Sequence, residues 1–576
     1  MKRFFLAAIA LVSVMGGSTQ ARTAPSPLPQ WLDTAVFYQI YPASFKDSDG
    51  DGIGDLGGIL SELDYIHSIG VTAIWMNPIF CSEFRDGGYD VTDFYTVAPR
   101  YGTNAQLVRL VREAHARGIK VCLDLVAGHT SDRHPWFLQS RQADTALRYS
   151  DYYIWTDADS ILPPGSNYVR SDAPREGNYL KNFFDCQPAL NYGFARPNPA
   201  NPWEQSVDAP GPQAVRRELK NIIAFWMDKG VDGFRVDMAS SLIKNDPGHV
   251  ATRRLWHEMR AWFGERYPEG VLISEWSRPE EALAAGFHID FMMQFGTPGF
   301  PSLFFNKEGV EIKQDTCYFQ TLGAGQIREF VENYTRQREK TRGLGYIALP
   351  TANHDCQRLA CGDRTDPRQL KVALTFLLTL PGTPFIYYGD EIGMRFLPDW
   401  PEKEGSIMGR NANRSGSRTP MQWAAGPTAG FSAGPADSLY LPLDPDPQRP
   451  TVEAQNDDPA SLLNYVRGLL ALRKRTAALA TRGEWQLVGD IGRPYPMVYL
   501  RRAENGPCYL VAVNPSGRRV EAELPVGYKG RYVYGTGLKD VRWSAGKESV
   551  RIAMKPVSAA VFRLDGRETG IRIEAE

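Results

Sequence analysis

Gly233-Phe234-Arg235-Val236-Asp237, GFRVD in one-letter code, is a short apolar run interrupted by one cation and closed by one carboxylate. A run of this kind reads as a buried strand. The acid at its end is informative, because barrel enzymes assemble their chemistry at strand C-termini. Similar runs flank it: VFYQIYP (36–42), AIWMNP (73–78) and KVCLDL (120–125) before it, and VLISE (271–275), FMMQF (291–295), IALPTANH (347–354) and PFIYYG (384–389) after it. Amphipathic stretches such as NAQLVRLVREAHARG and AVRRELKNIIAFWMDKG lie between them and end on glycine, an ordinary helix stop. Eight strands alternating with helices predict an α/β fold, a (β/α)8 TIM barrel.

On that frame Asp237 ends the fourth strand, Glu275 ends the fifth and Asp355 follows the seventh. Arg235 stands two residues before Asp237, His354 immediately precedes Asp355, and His129 lies just after the third strand. A single Asp at a strand end is usually a capping residue, and a single Arg-x-Asp is usually an ion pair. Three acids converging on one barrel face with an Arg and two His suit cleavage of a glycosidic bond: one carboxylate attacks the anomeric carbon, one protonates the leaving oxygen and one helps bind the distorted sugar.

The 576 residues exceed one ordinary core. Residues 129–217, rich in Pro, Asn, Asp and aromatics, are too long for a plain loop and predict a subdomain inserted after the third strand. The barrel is expected to comprise 22–128 and 218–480, with an antiparallel β-sandwich domain at 481–576 built from runs such as MVYLRR, CYLVAVN, RVEAEL and SAAVFRL. Residues 1–21 read as a signal peptide, with Lys2 and Arg3 ahead of FFLAAIALVSVMGG and small residues before Ala21. This predicts an exported protein, periplasmic or secreted, without a membrane anchor. A net charge of −1 gives no electrostatic case for a nucleic-acid partner. Seven Cys leave at least one without an intrachain partner; Cys122, inside an apolar run, is expected as a buried thiol, and Cys356 and Cys361 are close enough for a local disulfide.

DLVAGH (124–129), GFRVDM (233–238), ISEW (273–276) and TANHD (351–355), in this order, resemble the four ordered regions of the α-amylase superfamily, glycoside hydrolase family 13. YQIYPASF, GGYDVTDF, QPALNY and RTPMQW strengthen the resemblance and are most similar to its oligo-1,6-glucosidase, α-glucosidase and trehalose synthase branch. The resemblance implies a retaining double displacement with Asp237 as nucleophile, Glu275 as acid and then base, and Asp355 as transition-state stabiliser. It further implies sugar contacts from Tyr89, Asp90, His129, Arg235 and His354, and an Arg358–Asp90 pair closing the pocket beyond the non-reducing end. The substrate it implies is an oligosaccharide or disaccharide α-glucoside, with the α-glucosidic bonds of malto- or isomalto-oligosaccharides hydrolysed. A transglycosidase or a trehalose synthase-like or sucrose isomerase-like enzyme would use the same triad. A non-catalytic carbohydrate-binding protein is disfavoured because all three acids are kept.

Three positions depart from the family pattern: Gly128 replaces the usual Asn, Ala189 a usual Asp, and Met238 a smaller residue beside the nucleophile. A last motif, DSDGDGIGD, puts Asp47, Asp49, Asp51 and Asp55 at positions 1, 3, 5 and 9 of an EF-hand-like loop, with Ile53 offering its carbonyl. Position 12 is Gly58 rather than Glu, which argues against a calcium sensor. The resemblance implies one structural cation there, Ca2+ or alternatively Mg2+, and no organic cofactor.

Overall fold

A computed structural model of the chain describes residues 27–157, 166–293, 299–304, 317–408, 412–504, 506–524, 529–545 and 549–565; the expected leader lies outside them. Its centre is a closed barrel of eight parallel strands. These are β1 (Phe37–Ile40), β2 (Ala73–Met76), β3 (Lys120–Leu125), β4 (Gly233–Val236), β5 (Val271–Ser274), β6 (Ile289–Phe291), β7 (Tyr346–Pro350) and β8 (Thr383–Tyr387). β8 closes on β1 through Phe37↔Phe385.

Strand alternation decides what each residue faces. Phe37, Ala73, Trp75, Cys122, Ile273, Phe291 and Phe385 pack together in the barrel interior, with Cys122 a buried thiol as expected. Phe234 and Val236 belong instead to the core beneath the surrounding helices. Arg235, lying between them, is therefore turned inward. Gly233 keeps β4 tight on β5, since a Cβ there would stand 2.1 Å from the Val271 carbonyl oxygen.

The sixth strand corrects the sequence reading. It is Ile289–Phe291, not 291–295; residues 294–295 of the expected run lie outside the described residues. The polar Asp290 hid it, because this carboxylate is buried and accepts bonds from Ser274 Oγ at 2.6 Å and Trp276 N at 3.1 Å.

Helix α1 (Asn104–Ala116) starts at Thr103, whose hydroxyl accepts from Gln106 N at 3.2 Å, and buries Leu107, Leu110, Val111 and Ala114 on one face. Helix α2 (Pro210–Met227) takes up the end of the stretch read as the insertion. The remainder of that stretch carries a hairpin, Tyr168–Arg170 with Asn178–Leu180, and a His129↔Ala189 bridge ties its middle back to its first residue beside the end of β3. After β8 a second excursion runs over the same mouth before helix α3 (Leu462–Lys474) returns to the barrel wall. The C-terminal domain is two antiparallel sheets, of five and three strands, closing on a core that includes Leu500, Leu510, Ile552 and Phe562. No described helix is long and apolar enough to cross a membrane.

Candidate active site

The β3–β4 register sets Asp124 beside Arg235, and the ladder runs one residue further: Asp237 N donates to Leu125 O at 3.0 Å and Glu275 N to Val236 O at 3.0 Å. Three carboxylates then meet one guanidinium. Arg235 Nη1 lies 2.9 Å from Asp124 Oδ1 and 2.9 Å from Asp237 Oδ1, while Nη2 lies 2.6 Å from Glu275 Oε1. Met238 N holds the other Glu275 oxygen at 2.8 Å, from a backbone at φ +43, a left-handed conformation rare for a non-glycine residue.

One cation cannot neutralise three buried acids, so the cluster retains a proton. Burial raises Glu275 to about 8 against the opposing Arg235, and Asp237 adds to the rise. Burial also raises Asp237, again against Arg235, with Asp124 adding to it. Both carboxyls are raised by burial, Glu275 the further of the two, which suits it to hold the proton. Asp355 is the opposite case: burial works against its charge, yet His354, Arg414 and Arg418 hold it far below the ordinary carboxylate range. Arg414 Nη1 and Arg418 Nη2 reach its Oδ1 at 3.0 and 3.1 Å.

These groups border a cavity of about 290 Å3, at the small end of ligand-sized clefts, roughly 300–1,000 Å3. Tyr89, His129 and His354 line it with the three acids, and Phe183, Met238, Trp276 and Met408 give it an apolar side. The Tyr89 hydroxyl donates to Asp124 Oδ2 at 3.0 Å and accepts from Asn77 Nδ2 at 3.0 Å, while its ring stacks on His354 at 5.4 Å. Gln39 Nε2 donates to His354 Nδ1 at 3.1 Å, which leaves the imidazole proton on Nε2, 2.8 Å from the Tyr89 hydroxyl. Burial keeps both cavity histidines neutral, lowering His129 to about 3 and His354 well below its usual value.

The end wall departs from expectation. Arg358 does not meet Asp90: it is fully buried, donates to Tyr388 O at 2.6 Å and pairs with Asp390 at 3.2 Å, outside the cavity lining. Asp90 is buried too, accepting from Ser82 Oγ at 2.8 Å and Asp86 N at 3.1 Å, and supports its loop instead of lining the cavity. The wall is made by Asp86 and Arg414, paired at 2.8 Å, with Arg414 bridging on to Asp355.

The catalytic-domain description of the alpha-amylase family matches residues 39–482. The chain belongs to the alpha-amylase family. It is 32% identical to a trehalose synthase/amylase of Mycolicibacterium smegmatis over 562 residues, covering 91% of this chain and 88% of that one. It is 30% identical to an oligo-1,6-glucosidase of Parageobacillus thermoglucosidasius over 591 residues, covering 93% and 99%. Among solved structures, the trehalulose synthase of Pseudomonas mesoacidophila superposes with a TM-score of 0.78 at 26% identity, covering 94% of this chain and all of that one.

Sequence reading passed over Asp86, Asp124, Arg414 and Arg418 in this alpha-amylase site. The available signals were the Arg-Asp ahead of GGYD and the paired arginines of NRSGSRTP. Of the acidic loop, Asp47, Asp49 and Asp55 bring carboxylate oxygens within 4.8 Å of one another, whereas Asp51 stays outside that cluster. Backbone N–H groups serve part of the charge: Gly50 and Gly52 donate to Asp47 at 2.7 and 2.8 Å. Asp49 is raised, by burial first and then by Asp51, Asp55 and Asp47. Among the described residues no Lys or Arg forms an ion pair with any of the four acids, a donor set suited to a hard divalent cation.

Proposed function

We propose that the chain is a retaining α-glucosidase. The observation that carries this reading is Arg235, whose two terminal nitrogens grip Asp237 and Glu275 on the floor of one cavity. A pair bridged by one guanidinium suits the retaining separation, roughly 5–5.5 Å, and leaves no room for the intervening water of an inverting enzyme. Arg235 occupies Asp237 Oδ1, so Oδ2 attacks the anomeric carbon. Glu275 gives its proton to the departing glycosidic oxygen. Now ionised, Glu275 takes a proton from the incoming water, which cleaves the glycosyl ester and frees Asp237. The Asp355 carboxylate, held ionised by two arginines, faces the positive charge that develops on the sugar. The Asp86–Arg414 wall at the end of a small cavity favours removal of single terminal glucosyl units from malto- or isomalto-oligosaccharides.

A second reading keeps the first half-reaction and returns the departing sugar in another linkage. The apolar side formed by Phe183, Met238, Trp276 and Met408 favours it, because such a surface can retain a sugar while excluding water. Incubation with maltose, isomaltose, trehalose, sucrose and p-nitrophenyl α-glucoside, with products separated by chromatography, decides. Free glucose supports hydrolysis, a new disaccharide supports isomerisation, and neither product from any substrate refutes both.

The proposal includes one structural Ca2+ or Mg2+ held by Asp47, Asp49 and Asp55, with Asp51 and the Ile53 carbonyl as the loop's remaining donors. Such an ion would brace the loop after β1 and enter no chemical step. It also includes export, for which the N-terminal sequence of the mature protein should begin near Arg22; an intact Met1 there would refute it.

A further inference from the structure

His129 is wired to the insertion by a chain of hydrogen bonds whose direction is fixed at both ends. Lys244 Nζ, which can only donate, lies 2.7 Å from Ser241 O and 3.4 Å from Asn182 Oδ1. Lys244 is enclosed enough that burial lowers it to about 8, and it forms no ion pair among the described residues. Its ammonium orients the Asn182 amide with the oxygen towards itself and the nitrogen towards the cavity. Asn182 Nδ2 then donates to His129 Nδ1 at 3.0 Å and to Met238 Sδ at 3.4 Å. At the far end, His129 Nε2 meets the Tyr89 carbonyl at 3.1 Å, and a carbonyl can only accept. The histidine proton therefore sits on Nε2, and the Nδ1 lone pair is occupied.

Asn182 reaches this position because Gly128 has no side chain. A Cβ at 128 would lie 2.8 Å from Asn182 Nδ2, with the Leu242 side chain next at 3.4 Å. Gly128 is not among the positive-φ glycines, so its backbone tolerates any residue and the space itself makes the demand. The same amide touches Met238, whose own N–H holds Glu275.

We infer that Asn182 is a positioning residue: it occupies the space left by Gly128, fixes the tautomer and ring plane of His129 and steadies Met238 beside the nucleophile. Through it the inserted subdomain acts on both sides of the cavity, although Asn182 itself lies outside the lining. The idea rests on the α-glucosidase reading for its kinetic readout alone.

The test uses the full chain and five variants: Asn182→Ala, Asn182→Asp, Gly128→Ala, the double Gly128→Ala/Asn182→Ala, and His129→Gln for spectral assignment. Melting temperatures confirm folding. Aspartate turns an acceptor towards His129 Nδ1 and calls for a proton there, whereas alanine only vacates the site. Asn182→Asp should therefore lower kcat/KM roughly tenfold or more, and further than Asn182→Ala does, as expected for a displaced cavity group. Gly128→Ala should be harmful while Asn182 is present and nearly silent once it is alanine. In 15N-histidine-labelled protein, the His129 signal, assigned by its loss in His129→Gln, should report a proton on Nε2 in the parent and a protonated Nδ1 in Asn182→Asp. An unchanged tautomer in Asn182→Asp overturns the inference. So does a Gly128→Ala effect of the same size in both backgrounds. If the parent turns over no α-glucoside, the glucosidase reading fails, while the histidine spectrum still decides the role of Asn182.

Discussion

The molecule gathers acids in two places and balances them differently. At the barrel mouth Asp124, Asp237 and Glu275 share Arg235, and Asp355 leans on Arg414 and Arg418, so the cations belong to the fold. In DSDGDGIGD the acids converge with backbone N–H groups and no guanidinium or ammonium paired to them among the described residues. A covalently built cation is fixed in direction and cannot leave, which suits a site where one oxygen must attack and its neighbour must keep a proton. An acid cluster without one leaves a cation from solution to supply the balance, which suits a brace.

The comparison breaks most sharply at its centre. Asp237→Asn should abolish turnover of p-nitrophenyl α-glucoside, a loss beyond the roughly 10²–10⁴-fold that a general acid–base group supplies, with the melting temperature kept. Near-parental activity would end the assignment. Arg235→Met should next destabilise the fold by about 3–5 kcal/mol in urea unfolding, since removing one partner strands buried charges; a loss below ~1 kcal/mol would show that the acids do not need their built-in cation.

The pH profile sharpens the contrast. Glu275, the acid of the proposed mechanism, is raised to about 8, so kcat/KM should fall about tenfold per unit as pH climbs past that value and the proton is lost. Burial likewise raises Asp237, the base form of which is needed, so an acid limb should follow its protonation below that range. A flat alkaline profile would refute this ordering. The smallest effect belongs to the other cluster: chelation with EDTA should lower the melting temperature by a few degrees, from about 2.7 kcal/mol at a hundredfold excess over Kd, and leave turnover of folded enzyme intact. Unchanged melting, with no metal by elemental analysis, would remove the cation.

The barrel was legible because residues such as Phe234 and Val236 are apolar on the helix-facing side of strands short enough to count. The three acids were legible because a strand end fixes where its next residue stands. Asp290 concealed β6 by putting a carboxylate inside a strand, with one oxygen bonded by partners from β5 and its exit that a linear reading does not show. Arg358 was misplaced for a related reason: a motif locates a backbone, but the side chain took the buried Asp390 and the faces of Tyr387 and Tyr388. The true end wall joins Asp86 and Arg414 across 328 positions of sequence, a distance no local pattern spans.

Arg414 stands on the excursion after β8, anchored to its own loop through the Gly405 carbonyl at 2.6 Å, while the reacting acids stand on barrel strands. The two parts are nevertheless tied together, because Arg414 and Arg418 of the excursion both reach Asp355. Exchanging that excursion would therefore change the shape of the far end and the charge balance of Asp355 in one step, so a change in the length of chain admitted carries a change in the cleft's electrostatics with it.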